Sequence, residues 1–127
     1  MLFRSQEFTK LIRDGGSDVD FWALHWYGEG LGPFYDFIWS THHRLGPEKP
    51  VWITEFAATN WRKEEPLGKE VVEAFLRESV RYLDTLEWVE RYAWFGPMRD
   101  TGTVGRWAAL LDESGGISEL GKIYRNV

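Results

Sequence analysis

Apolar residues in this chain fall into two kinds of stretch, short solid runs and longer segments with three- and four-residue spacing. Phe8, Leu11 and Ile12 have helical spacing and predict the end of a helix, which Asp14-Gly15-Gly16-Ser17 breaks. Asp20 to Tyr27 (DFWALHWY) is short, aromatic and apolar, the length of a buried strand. A loop with Gly28, Gly30, Gly32 and Pro33 follows. Phe34, Phe37, Ile38, Thr41 and Leu45 then predict an amphipathic helix, ended by Gly46-Pro47. Pro50 precedes a second strand, Val51 to Phe56 (VWITEF). Residues 57–65 read as a loop, and Pro66 suits a helix start. Val72, Phe75, Leu76, Ser79, Val80, Leu83 and Leu86 form the next helical face. Val89 to Phe95 (VERYAWF) is a third strand, and Gly96 to Arg106 a long loop. After Leu110-Leu111 and a turn at Asp112 to Gly116, Ile117, Leu120, Ile123 and Tyr124 mark a last helix.

Strands that alternate with helices, and that lack polar/apolar alternation, imply a parallel sheet covered by helices. A doubly wound sheet and a barrel both meet that description. Neither GxGxxG nor GxxxxGKS/T occurs, so the phosphate loops of many nucleotide-binding folds are absent and no cofactor is expected. What stands near the strand ends instead is His25 and Tyr27, then Glu55, then Trp94. Polar and aromatic groups at successive strand ends are what the catalytic face of a barrel requires.

Composition narrows the class. The chain has 127 residues, a single-domain length, with 43% hydrophobic and 28% charged residues, which excludes a disordered polymer. No apolar run approaches the ~20 residues of a membrane span. A net charge of −5 with no basic run argues against nucleic acid as a partner. There are no cysteines, so disulfides and thiolate metal sites are excluded, and no other metal site is visible. Arg4, Glu7 and Lys10 interrupt the first dozen residues, which therefore lack the apolar core of a secretory signal. Aromatics reach 17%, with eight tryptophans. That suits either a large aromatic core or a carbohydrate cleft, where flat rings stack on sugars.

Strict alternation along the second strand puts Val51, Ile53 and Glu55 on one face, taken as the barrel interior, and Trp52, Thr54 and Phe56 on the other. A carboxylate in so apolar a segment needs a partner. Either it is catalytic, or it is a structural group bridging Arg62 or Arg99. His25 and Tyr27 share a face with Ala23, and two donors beside a carboxylate favour the ionised form that a nucleophile needs. As single residues they read first as a core histidine and a rim tyrosine. Trp94 is either the floor of a sugar subsite or core filling. Trp26 and Trp61 either extend such a platform or anchor loops. His42-His43 read as surface or packing residues, and Lys63-Glu64-Glu65 as a solvated loop.

Together the segments DFWALHWYG, KPVWITEFA, VERYAWFG and LLDESGGISELGKIY resemble glycoside hydrolase family 128, a group common in fungi whose characterised members cleave β-1,3-glucans. The resemblance covers nearly the whole chain. It implies a (β/α)8 TIM barrel and a retaining mechanism. The three strands would be numbers six to eight, with Glu55 as nucleophile at the end of the seventh. His25 and Tyr27 would contact the substrate or the nucleophile, and Trp94 would stack on the sugar beside the cleaved bond. The implied partner is a β-glucan polysaccharide or oligosaccharide, met outside the cell or in the cell wall.

A complete barrel takes about 250 residues. Residues 1–127 are therefore expected to be the C-terminal part of one catalytic domain. The family's general acid/base, a Glu ending the fourth strand, would lie upstream of Met1. Such a piece is expected to be inactive by itself, to expose Val51, Ile53 and Ala23 on its open inner face, and to self-associate through open sheet edges. Two other functions fit the same residues: a non-catalytic carbohydrate-binding or wall-associated remnant, and a clan A hydrolase of another β-glycan.

Overall fold

The computed structural model describes residues 2–127. Helix α1 (Leu2–Asp14) is followed by β1 (Trp22–Gly28), α2 (Leu31–Leu45), β2 (Val51–Ala58), α3 (Lys69–Leu83), β3 (Val89–Trp94) and α4 (Glu119–Asn126). Two single turns of 3-10 helix, Gly102–Val104 and Arg106–Ala108, lie in the long loop before α4. The sheet has three strands in the order β1-β2-β3, and both pairings are parallel. Parallel neighbours need a crossover, and α2 and α3 supply the two.

Both crossover helices lie on one face of the sheet and build the core there. Phe34 and Ile38 of α2, Val51, Ile53 and Phe56 of β2, and Leu76 and Val80 of α3 are completely buried. Phe34 stacks on Phe56 with centroids 5.4 Å apart, and Trp26 stacks on Phe75 at 5.6 Å. Burying each such side chain stabilises the fold by about 1.5–3 kcal/mol. Among the described residues no helix covers the opposite face of the sheet, and Ala23, His25, Thr54, Arg91 and Ala93 are exposed on the strands that form it.

The face assignment read from strict alternation is wrong for half of β2. Leu24 pairs with Ile53 and His25 pairs with Glu55, so Thr54 has no partner on β1. The β3 side shows the same extra residue, since Ile53 pairs with Tyr92 and Phe56 with Trp94. This is a β-bulge, one added residue that shifts the alternation by one. Thr54 holds the kink by donating its hydroxyl to the Leu24 carbonyl at 3.4 Å. Val51 and Ile53 therefore face the helices together with Phe56, and neither is exposed on an open inner face. Glu55 is turned to the other side.

Other differences are smaller. α3 begins at Lys69, with Pro66 in the approach rather than in the first turn. α2 starts three residues before Phe34, at Leu31. His42 is a packing residue, its ring stacked on Trp88 at 4.0 Å, and burial pushes its pKa below the usual imidazole range. Gly96 lets the loop after β3 fold back. Its φ is +148°, and a Cβ there would run into the Ala108 carbonyl oxygen. Closure of that loop is marked by the Leu110 N–H donating to the Gly96 carbonyl at 2.7 Å.

Candidate active site at the strand ends

In a parallel sheet all the C-terminal strand ends lie on one side, and Tyr27, Glu55 and Phe95 meet there. The bulge at Thr54 puts Glu55 on the face of His25 and Tyr27. The Tyr27 hydroxyl donates to Glu55 Oε2 at 2.5 Å. His25 Nδ1 lies 3.6 Å from the same oxygen, an ion-pair distance when the imidazole is protonated. Glu55 Oε1 makes no hydrogen bond among the described residues. The Glu55 side chain is 39% exposed, so it has one anchored oxygen and one available to a ligand.

Electrostatics favour this division of roles. Burial, and then the hydrogen bond to Glu55, push the Tyr27 phenol well above the ordinary tyrosine range. Tyr27 therefore stays a protonated donor at every physiological pH. Neither arginine considered as a structural partner reaches Glu55. Arg62 is 3.5 Å from Glu65, and Arg99 packs beside Gly115.

Tyr27 also organises an aromatic rim. Phe95 meets it edge-on at 5.5 Å, and Trp61 is tilted against it at 5.2 Å. The apolar pattern of the third strand does not single out Phe95. A signal exists all the same, because Phe95 follows Trp94 and neighbours in a strand point to opposite faces. Trp94, expected as the sugar platform, has the inward place. It is 3% exposed, its ring packs on Phe56 at 5.3 Å, and its Nε1 donates to the Ala108 carbonyl at 2.9 Å. As placed, it offers no ring face to a sugar. Trp26 is likewise on the helix side, against Phe34 and Phe75, and extends no platform.

Glu55, Tyr27 and His25 thus stand on an open surface, bounded by the sheet on one side only. A cavity of about 570 Å³ lies elsewhere, lined by Lys69, Arg99, Arg106, Trp107 and Asp112 among others. Among the described residues no three His, Asp or Glu side chains gather as metal ligands would. No described helix is long and apolar enough to cross a membrane.

Comparison with known proteins gives three kinds of match. Residues 5–124 match the family described as glycosyl hydrolase catalytic core. Over 108 residues the chain is 40% identical to alkali-sensitive linkage protein 1 of Schizosaccharomyces pombe, a match that covers 84% of this chain and 20% of that protein. Among solved structures, a family 128 (subgroup VI) exo-β-1,3-glucanase from Aureobasidium namibiae superposes with a TM-score of 0.81 at 25% identity, covering 94% of this chain and 45% of that one. A family 128 (subgroup I) endo-β-1,3-glucanase variant from Amycolatopsis mediterranei, in complex with laminarihexaose, gives a TM-score of 0.76 at 27% identity, covering 95% of this chain and 50% of that one. The chain spans a fifth of the curated relative and about half of these solved structures. With its three-stranded parallel sheet, it fits part of a TIM-barrel fold.

Proposed function

Because this chain belongs to the glycosyl hydrolase catalytic core family, we propose that it carries the nucleophile-bearing part of a retaining β-1,3-glucan hydrolase, with Glu55 as the nucleophile. The observation that carries the reading is the short Tyr27–Glu55 hydrogen bond at adjacent parallel strand ends. Tyr27 holds Oε2, with His25 beside it, and Oε1 is left to attack the anomeric carbon. The C–O bond to the leaving sugar breaks as the Glu55–glycosyl ester forms, and water then hydrolyses that ester. In this reading β1, β2 and β3 are the sixth, seventh and eighth strands of a (β/α)8 barrel, and residues 1–127 belong to one catalytic domain.

The mechanism also needs a second carboxyl, roughly 5–5.5 Å from the first, to protonate the leaving oxygen. Asp100 and Asp112 accept backbone N–H groups in their own turns, from Gly102 and Gly116. Glu29 is exposed just beyond β1. The acid/base is therefore assigned to a strand end outside these residues, and the 127-residue chain alone is inactive. The β-1,3 linkage is taken from the family 128 relatives, and an extracellular or wall setting is proposed with it.

A carbohydrate-binding role without catalysis is the second reading, favoured by an aromatic rim that has only one carboxylate beside it. The test is hydrolysis of a β-1,3-glucan by the chain alone, by the chain joined to the missing half of the barrel, and by that longer protein carrying Glu55→Gln. The catalytic reading expects reducing sugar from the longer protein only. A longer protein that stays as active with the Glu55→Gln substitution would leave the binding reading.

A further inference from the structure

Trp61 has a φ of +62°, the one non-glycine residue in the left-handed region among the described residues. That conformation is costly for a bulky side chain and persists only where neighbours enforce it. The neighbours are identifiable. Thr59, 1% exposed, accepts the Trp61 N–H on its Oγ1 at 2.9 Å and anchors its own N–H on the Gly28 carbonyl at 2.8 Å. Asn60 accepts the Arg62 N–H at 2.9 Å and donates to the Glu65 carbonyl at 2.8 Å. Residues on both sides of Trp61 are thus tied down, and the strained residue sits between them.

Packing does not explain the ring. Trp61 is 52% exposed, and among the described residues the one aromatic ring it meets is Tyr27, the residue that holds Glu55. A glycine would adopt the same backbone without strain. A strained backbone that presents a half-exposed indole against Tyr27, beside the Glu55 carboxylate, is what a preorganised ligand contact requires.

We propose that Trp61 is a sugar-stacking residue, held in its left-handed conformation so that its ring lies against a glucosyl unit of the chain bound at Glu55. This rests on the glucan-hydrolase reading above. Pyranose rings with equatorial substituents have an apolar face that matches an indole, so the ligand class is a β-linked glucan.

Titration of this chain joined to the missing half of the barrel, carrying Glu55→Gln so that the ligand is not cleaved, with a linear β-1,3-linked glucohexaose tests this, with Trp61→Gly, Trp61→Phe and Trp107→Ala beside the form that is wild type at both tryptophans and thermal melting of each. Trp61→Gly is expected to melt at or above wild type and to bind about tenfold more weakly, with Trp61→Phe between. Trp107→Ala, on the separate cavity, is expected to bind as wild type. Trp61→Gly binding as tightly as wild type overturns the proposal and leaves the glucan reading standing. Trp61→Gly melting well below wild type makes the ring a structural part and also overturns it. Absence of binding by wild type and Trp107→Ala alike removes the glucan reading and this inference together.

Discussion

Tyr27 and Glu55 lie two residues out of step on neighbouring parallel strands, and they meet because β2 carries an extra residue. His25, not Tyr27, is the register partner of Glu55, yet the Tyr27 hydroxyl reaches Oε2 at 2.5 Å. Without the bulge at Thr54, Glu55 would point into the helix layer with Val51 and Ile53. The arrangement of the candidate site is therefore a property of strand register as much as of residue identity.

Tyr27→Phe keeps the ring and removes the donor. A hydrogen bond to a charged acceptor contributes about 1.5–3 kcal/mol, so kcat/KM of the complete catalytic domain should fall about 10- to 100-fold. Kinetics on a soluble β-1,3-gluco-oligosaccharide check this, and an unchanged rate would detach Tyr27 from the role proposed for Glu55.

The same hydroxyl gives a pH dependence. The folded pKa of Tyr27 is raised, by burial first and then by Glu55. Its contribution to stability is therefore fully present below the unfolded tyrosine value of about 10 and is lost as pH rises above it. Urea midpoints measured from neutral to strongly alkaline pH should decline less steeply in Tyr27→Phe. Tyr92, whose pKa is raised by burial and by Asp84, should behave alike in Tyr92→Phe.

The bulge can be tested through stability. Phe56 is fully buried against Phe34, so Phe56→Ala should cost about 3–5 kcal/mol. His25→Ala, on the open face, should cost under about 0.5 kcal/mol. Deleting Thr54 should leave unfolding cooperative, because it removes the extra residue and leaves Ile53, Glu55 and Phe56 in plain alternation, with Phe56 still in the core and Glu55 on the open face. Chemical denaturation of the three variants decides, and a Thr54 deletion that loses cooperative unfolding would disprove the register.

Gly96→Ala should destabilise by about 2–4 kcal/mol, since the added methyl meets a backbone carbonyl rather than a movable side chain. Thermal melting measures it. Activity of the complete domain should fall as well, because Gly96 adjoins the rim residue Phe95.

The uncovered sheet face and the outer edge of β1 carry the prediction of self-association. On the β3 edge, Tyr124 already accepts the Trp94 N–H at 3.2 Å. Sedimentation velocity of the 127-residue chain should show concentration-dependent oligomers, and the chain joined to the rest of the barrel should run as a monomer. A monomer at all concentrations would remove self-association from the account.

Much of this was legible in the residues alone. All three strands, the end of α1 and the three later helices lie where apolar runs and helical spacing place them, within a few residues. Local chain chemistry suffices for that: Asp14-Gly15-Gly16 stops a helix and Pro50 precedes a strand whatever surrounds them. The shared face of Ala23, His25 and Tyr27 also follows directly, since β1 keeps its alternation up to that point. What the chain pattern did not contain is the extra residue in β2, because VWITEF reads identically with and without a bulge. Only pairing with β1 and β3 reveals Thr54 as unpartnered, and packing of Phe56 between Phe34 and Trp94 decides which register is stable. That decision turned Glu55 toward Tyr27 and left Trp94 in the core with Phe95 at the rim. Residue types and spacing are local and set the elements, whereas the face a side chain takes depends on hydrogen-bond register and core packing between distant segments, which only the assembled sheet determines.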